Sequence, residues 1–189
     1  QAQDVARALR AKIETIRKLL GPGGARKAFG PSQTQTRPPA REHECLVALG
    51  ASAGGPAALA SVLAQLPATL AAPVVLVQHV DAQFAPSLAT WLDSQTALNV
   101  RLAHEGDRPQ AGTVLLAGKD LHLVLASPTR LAYTRHPEDC SYRPSIDVFF
   151  KSAAQFWKGD ILAALLTGMG RDGAEGLKEL HDAGHFTLA

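Results

Sequence analysis

Val5, Leu9, Ile13, Ile16 and Leu20 recur at intervals of four, four, three and four residues, which places them on one face of a predicted amphipathic helix over 1–20. Gly21-Pro22 ends that pattern. Residues 21–44 contain four Gly and four Pro, with Phe29 as the one large apolar side chain. Such a stretch buries too little surface to offset its ordering entropy, so it reads as a flexible linker. From Cys45 onward the pattern changes. CLVALGA (45–51), PVVLVQH (73–79) and ILAALLTG (161–168) are apolar without alternation, as parallel strands buried on both faces are. Helical periodicity predicts helices at about 55–66, 83–95, 145–157 and 173–183. TVLLAG, LHLVLA and RLAYTR, separated by short turns, predict antiparallel hairpin strands. The alternation of strands and helices implies an α/β domain over 45–189: a doubly wound, mostly parallel sheet with an antiparallel hairpin insertion, in three α/β/α layers. HFTLA, after Gly184, reads as the start of a further strand, so the domain is expected to be cut short at its C-terminus.

The chain has 189 residues, 46% of them hydrophobic and 19% charged, which suits one domain with a packed core and a tail. The net charge of +2 is unevenly distributed. Residues 1–44 carry nine Lys/Arg against four Asp/Glu, or +5, leaving ten against thirteen, or −3, for 45–189. The predicted domain therefore has no positive field, which argues against a nucleic-acid partner. Apolar runs such as Ile161–Leu166 are far shorter than the roughly 20 residues of a bilayer span, so no membrane insertion is expected. Cys45 and Cys140 are too few for a disulfide framework and are wrongly spaced for zinc. With no apolar signal segment at the start, the reading is a cytoplasmic protein.

The sharpest local signal is Gly50-Ala51-Ser52-Ala53-Gly54-Gly55. Gly50, Ser52 and Gly54 fit the nucleophile-elbow pattern G-x-S-x-G, between a buried strand and a helix. A tight turn there lifts Ser52 above the strand end, and the free N–H groups of the next helix face a developing oxyanion. A phosphate-binding loop with Ser52 capping the helix is the alternative. Its spacing is not G-x-G-x-x-G, and no acidic residue closes the second strand.

A serine nucleophile needs a base. His79 ends the next apolar run, and in a doubly wound sheet the carboxyl ends of parallel strands share one crevice. His122 lies inside a hairpin strand, where a packed histidine is the simpler reading. Asp172 follows the third buried strand and is the candidate to orient His79, although Asp also suits a helix N-cap at that place. Ser52, His79 and Asp172 thus follow three separate strands. Their chain order differs from the Ser, Asp, His of α/β-hydrolases, although a triad is defined by geometry rather than order. Arg143-Pro144-Ser145-Ile146-Asp147 reads as a helix start with an acidic first turn, and Arg143 is also open to a role facing substrate.

GASAGG, the strand-end QH, RPSIDVFFKSAA and LLTGMGRDGAEGL together resemble the catalytic domain of bacterial chemotaxis protein-glutamate methylesterases, the CheB type. The similarity covers about 44–189. It implies a serine hydrolase that demethylates glutamyl methyl esters on chemoreceptor cytoplasmic domains, and that can deamidate glutamines. It also implies a Ser52–His79–Asp172 triad, an oxyanion site at the Met169 backbone N–H, and no metal or cofactor. By the same resemblance, residues 1–20 are the last helix of a receiver domain addressed by a histidine kinase. Three places depart from the family pattern: Ala53 stands where Thr is frequent, Ala117-Gly118-Lys119 replaces an Ala-Pro-Gly segment, and VDAQFAPSLATWL follows its counterpart loosely. A serine esterase with another substrate, or a non-catalytic nucleotide- or partner-binding α/β module, remain the alternatives.

Overall fold

A computed structural model describes residues 45–168 and 170–189 together with Arg7 and Ala11. Apart from those two positions, the predicted helix over 1–20 and the linker over 21–44 lie outside the described residues, as does Met169. The elements follow in chain order: β1 (Leu46–Ala51), α1 (Gly55–Leu63), β2 (Val74–Gln78), α2 (Ala85–Asp93), β3 (Asn99–Leu102), β4 (Thr113–Leu116), β5 (His122–Ser127), β6 (Arg130–Thr134), α3 (Ile146–Phe156), β7 (Ile161–Thr167), α4 (Ala174–Asp182) and β8 (Phe186–Leu188). A six-stranded sheet has the order β3-β4-β2-β1-β7-β8, and every pairing in it is parallel. β5 and β6 form a separate antiparallel pair.

The unbroken apolar runs are explained by two cores. Val47, Leu49, Val74, Leu76, Val114, Leu116, Leu162 and Ala164 face one side of the sheet, where Leu59 and Leu63 of α1 and Leu88 and Leu92 of α2 cover them. Their neighbours Leu46, Ala48, Val75, Val77, Leu115, Ile161 and Ala163 face the other side. There Phe149 and Phe150 of α3, Leu180 of α4 and the hairpin residues Leu123, Leu125 and Leu131 complete the layer. Since side chains alternate across a strand, a strand buried on both faces must be apolar at every position. The three-layer expectation is thereby met.

One element departs from expectation. TVLLAG is no hairpin strand: Thr113–Leu116 is β4, paired in parallel with β2 and β3. Val114, Leu115 and Leu116 are buried on both faces, which a two-stranded ribbon lying on the domain surface cannot provide. The hairpin insertion is β5–β6 alone. β3 went unforeseen because NVRL buries only Val100 and so carries no apolar run.

The topology fixes where a site can form. From β1 the chain moves outward through β2 in one direction, and β7 returns to pair on the other flank of β1. The carboxyl ends of β2, β1 and β7 therefore open onto the crevice where doubly wound sheets bind ligands. Between Gly50 and Ala51 the β1–β7 register slips, so that Leu166 is an extra residue in β7. Such a bulge re-aims a strand end.

Candidate active site

Ser52 leaves the end of β1 pinned on both flanks. Its N–H donates to the Thr167 carbonyl at 3.1 Å, and the His79 N–H donates to the Ala51 carbonyl at 3.0 Å. The turn then closes with the Gly55 N–H on the Ser52 carbonyl at 2.8 Å. Gly54 takes φ 74°, a left-handed conformation natural to glycine. Gly55 is required by contact: a Cβ there would collide with the Gln78 side-chain amide. That amide is only 2% exposed, and its Nε2 donates to the Ser52 carbonyl at 2.9 Å and to the His79 carbonyl at 3.0 Å. Gln78 thus ties the serine turn to the histidine, a role that the sequence reading missed.

The three strand-end residues meet. Ser52 Oγ lies 3.0 Å from His79 Nδ1, and His79 Nε2 lies 2.6 Å from Asp172 Oδ2. An ionised carboxylate only accepts, so Nε2 carries the proton and the Nδ1 lone pair faces the serine hydroxyl. The side chains of His79 and Asp172 are 12% and 11% exposed, sheltered from bulk water but open to a cleft. That cleft, of about 150 Å³, is lined by Ser52, His79, Tyr142, Thr167 and Asp172 among others.

Asp172 is the most heavily bonded of the three. Oδ1 accepts from the Ser145 hydroxyl at 2.6 Å and from the Asp147 N–H at 3.2 Å, while Oδ2 also accepts from the Ile146 N–H at 2.7 Å. Ser145 is the N-cap of α3, so the carboxylate sits at the positive end of that helix. Asp172 does cap a helix, but not the one that follows it, whose N-cap is Gly173. In return, Asp147 in the first turn of α3 accepts the Gly176 N–H of α4 at 2.6 Å. Two helix starts therefore cap each other crosswise. Burial pushes the Asp172 carboxyl up, but the hydrogen bonds from His79, Ser145, Ile146 and Asp147 outweigh it and bring its pKa to about 2.

Ser145→Ala tests this cradle. It removes a charge-assisted donor and the hydroxyl that accepts the Val148 N–H, and should destabilise the domain by about 1–3 kcal/mol at neutral pH. The sign with pH follows from linkage. A carboxyl depressed in the folded state stabilises fully above its unfolded value of about 4, and that contribution fades as pH falls toward 2. The difference between wild type and variant in urea unfolding should therefore shrink between pH 5 and pH 2. A pH-independent difference would mean that the hydroxyl does not act through Asp172.

The other candidates fall into place around this centre. His122 is fully buried, accepting the Ser145 N–H at Nδ1 and bonding the Pro137 carbonyl through Nε2, and so supports the α3 start. Arg143 donates to the Glu138 carbonyl at 2.6 Å and lines an outer pocket of about 440 Å³ next to the cleft. Neither cysteine is suited to be a nucleophile. Burial pushes the Cys45 thiol up to about 12, and burial followed by repulsion from Asp139 and Asp172 raises Cys140. Among the described residues, no three His, Cys, Asp or Glu side chains group as a metal would require, and no helix is long and apolar enough to cross a membrane. Tyr142 and Ser145, both in contact with this centre, were not singled out from sequence as parts of it. Ser145 looked like a helix start, and nothing near Tyr142 in sequence signals His79.

Comparison with known proteins points the same way. The family model described as CheB methylesterase matches residues 47–189. A protein-glutamate methylesterase/protein-glutamine glutaminase of Mesorhizobium japonicum is 52% identical over 184 residues, 97% of this chain and 53% of that protein. One of Cupriavidus pinatubonensis is 60% identical over 144 residues, 76% of this chain and 42% of that protein. The chain spans about half the length of the curated relatives it matches. The crystal structure of the Thermotoga maritima CheB methylesterase catalytic domain superimposes with a TM-score of 0.74 at 34% identity, covering 77% of this chain and 79% of that one.

Proposed function

The chain belongs to the CheB methylesterase family, and from that premise we propose that it is a serine hydrolase that removes methyl groups from glutamyl methyl esters of chemoreceptor cytoplasmic domains. The observation that carries this reading is the continuous relay from Ser52 Oγ through the His79 ring to the Asp172 carboxylate, at 3.0 and 2.6 Å. His79 Nδ1 takes the hydroxyl proton as Ser52 Oγ bonds to the ester carbonyl carbon. Asp172 holds the ring tautomer and stabilises the imidazolium. The oxyanion is held by backbone N–H groups, at Met169 by the family resemblance and at the turn after Ser52 by position. When the tetrahedral intermediate collapses, the methoxy oxygen takes the proton from His79 and leaves as methanol. Water, deprotonated by His79, then attacks the acyl-enzyme. Collapse returns the proton to Ser52 Oγ and frees glutamate. Glutamine side chains react through the same intermediate with ammonia as the leaving group, which is the second activity of this proposal.

The test uses receptor cytoplasmic domains carrying labelled methyl esters, with methanol release as the readout. Wild type should release methanol and Ser52→Ala should not. Covalent labelling of Ser52 by a fluorophosphonate without any methanol release would indicate a serine esterase with another substrate. Absence of both would favour a binding module.

The proposal extends to the surroundings of this domain: a cytoplasmic protein in which residues 1–20 end a receiver domain answering to a histidine kinase, and residues 21–44 tether it. Among the described residues, both cores of the 45–189 domain are lined by its own strands, helices and hairpin, and the large apolar side chains exposed are Phe84, Trp91 and Tyr142. Deleting residues 1–40 should therefore leave the melting temperature and the rate of Ser52 labelling nearly unchanged. A drop of more than about 5 °C, a loss of one or more kcal/mol, would place the first helix against the domain instead.

A further inference from the structure

Tyr142 is 38% exposed, yet its ring lies flat on the imidazole of His79, with centroids 4.1 Å apart and planes inclined by 6°. Hydrophobic burial does not explain that placement, since a side chain serving the core would turn inward. Its hydroxyl end reaches across to the β7–α4 loop, where a Cβ on Gly170 would stand 3.4 Å from the phenolic oxygen. It lines both the cleft holding Ser52 and the larger outer pocket, and so stands between them. Three residues after it begins the segment that cradles Asp172, in which Ser145, Ile146 and Asp147 supply three of that carboxylate's donors.

The physics of the histidine ring gives this stacking a role. The terminal torsion of a histidine is broad, so the ring rocks readily about its link to the backbone. Asp172 fixes one end of it through a single hydrogen bond to Nε2. Together with the contact to Ser52 Oγ, that bond holds the ring through its two nitrogens, and hydrogen bonds tolerate tilts of tens of degrees, so they restrain the plane of the ring only loosely. A flat partner at van der Waals distance sets the plane, and in this plane Nδ1 points at Ser52 Oγ. The same π face also accommodates the imidazolium that forms when His79 takes the proton.

We propose that Tyr142 is a positioning residue for the hydrolytic reaction, holding the His79 ring in the plane from which Nδ1 accepts the Ser52 proton. This rests on the serine hydrolase reading above. Tyr142 acts through the base and does not touch the bond that breaks. What matters is its aromatic plane, neither its hydroxyl nor its bulk.

The experiment compares Tyr142→Phe, Tyr142→Leu and Tyr142→Ala in this chain, using p-nitrophenyl acetate turnover and the rate of fluorophosphonate labelling at Ser52. Tyr142→Phe should stay within about twofold of wild type. Tyr142→Leu and Tyr142→Ala should lose about tenfold to a hundredfold in kcat, the scale expected of a misplaced catalytic group, and labelling should slow in parallel. KM should stay within about twofold throughout, and because the side chain is partly exposed, the three melting temperatures should agree. If Tyr142→Leu matches Tyr142→Phe, or the loss lies in KM alone, the residue fills space or binds substrate and the proposal is overturned. If wild type is not labelled at Ser52, the hydrolase reading falls and takes this proposal with it. A reactive wild type with an equally reactive Tyr142→Leu overturns this proposal alone.

Discussion

Ser52→Ala should lower methyl-ester hydrolysis by roughly 10⁴- to 10⁶-fold, the range seen when a triad nucleophile is removed while the rest of the site survives. The change is chemically narrow. Among the described residues, the Ser52 side chain makes one hydrogen bond, to His79 Nδ1, and the turn is held by backbone groups and Gln78, which the substitution leaves in place. The melting temperature should therefore move by no more than about 1–2 °C, and substrate should still bind. Methanol release from methylated receptor domains and fluorophosphonate labelling should vanish together. Among the described residues, no nearby group stands ready to replace the serine: the Ser145 hydroxyl is committed to Asp172, and burial with repulsion from Asp139 and Asp172 raises the Cys140 thiol. Turnover within about a hundredfold of wild type would mean that the nucleophile lies elsewhere.

Asp172→Asn should produce the next largest loss, about 10³- to 10⁴-fold in kcat, and unlike Ser52→Ala it should also destabilise the fold. The reason lies in counting donors. His79 Nε2 and the Ile146 N–H converge on one carboxylate oxygen, and the Ser145 hydroxyl and the Asp147 N–H converge on the other. An amide replaces one of those acceptors with an NH₂ group that faces donors. If the NH₂ turns to His79, the ring must accept at Nε2 and carry its proton on Nδ1, pointing at Ser52 Oγ, where it cannot act as a base. If the NH₂ turns to the helix start, the Asp147 N–H loses its acceptor, at about 1–3 kcal/mol for an unsatisfied buried donor. Either orientation breaks the site. The paired measurements are kcat for the methyl ester and urea unfolding at pH 7. A variant within tenfold of wild-type kcat would show that the carboxylate does not set the histidine tautomer.

What could be read from the chain, and what could not, divides along the range over which each signal acts. The parallel sheet was legible because strands buried on both faces must be apolar at every step, as CLVALGA, PVVLVQH and ILAALLTG are. The candidate residues were legible for a related reason: Ser52, His79 and Asp172 each follow one of those runs, and strand ends on one edge of a doubly wound sheet open onto the same crevice. The resemblance to the methylesterases then rested on continuous motifs, above all LLTGMGRDGAEGL.

The sequence alone determined that a strand edge would carry these side chains, because strand burial and helix starts are written in neighbouring residues. Only the tertiary structure decided how the site is held. The flat contact of Tyr142 on His79 spans 63 positions of chain, and the Ser145 hydroxyl meets Asp172 across 27. Gln78 joins the Ser52 turn across 26, and the starts of α3 and α4 cap each other through Asp172 and Asp147. The placement of β4 in the main sheet belongs here as well, since TVLL suits a hairpin or a parallel strand equally until its neighbours cover both faces. Periodicity reports which side of an element is buried. It carries no information on which distant donor meets which acceptor, and in this protein those long-range meetings orient the histidine and keep Asp172 ionised.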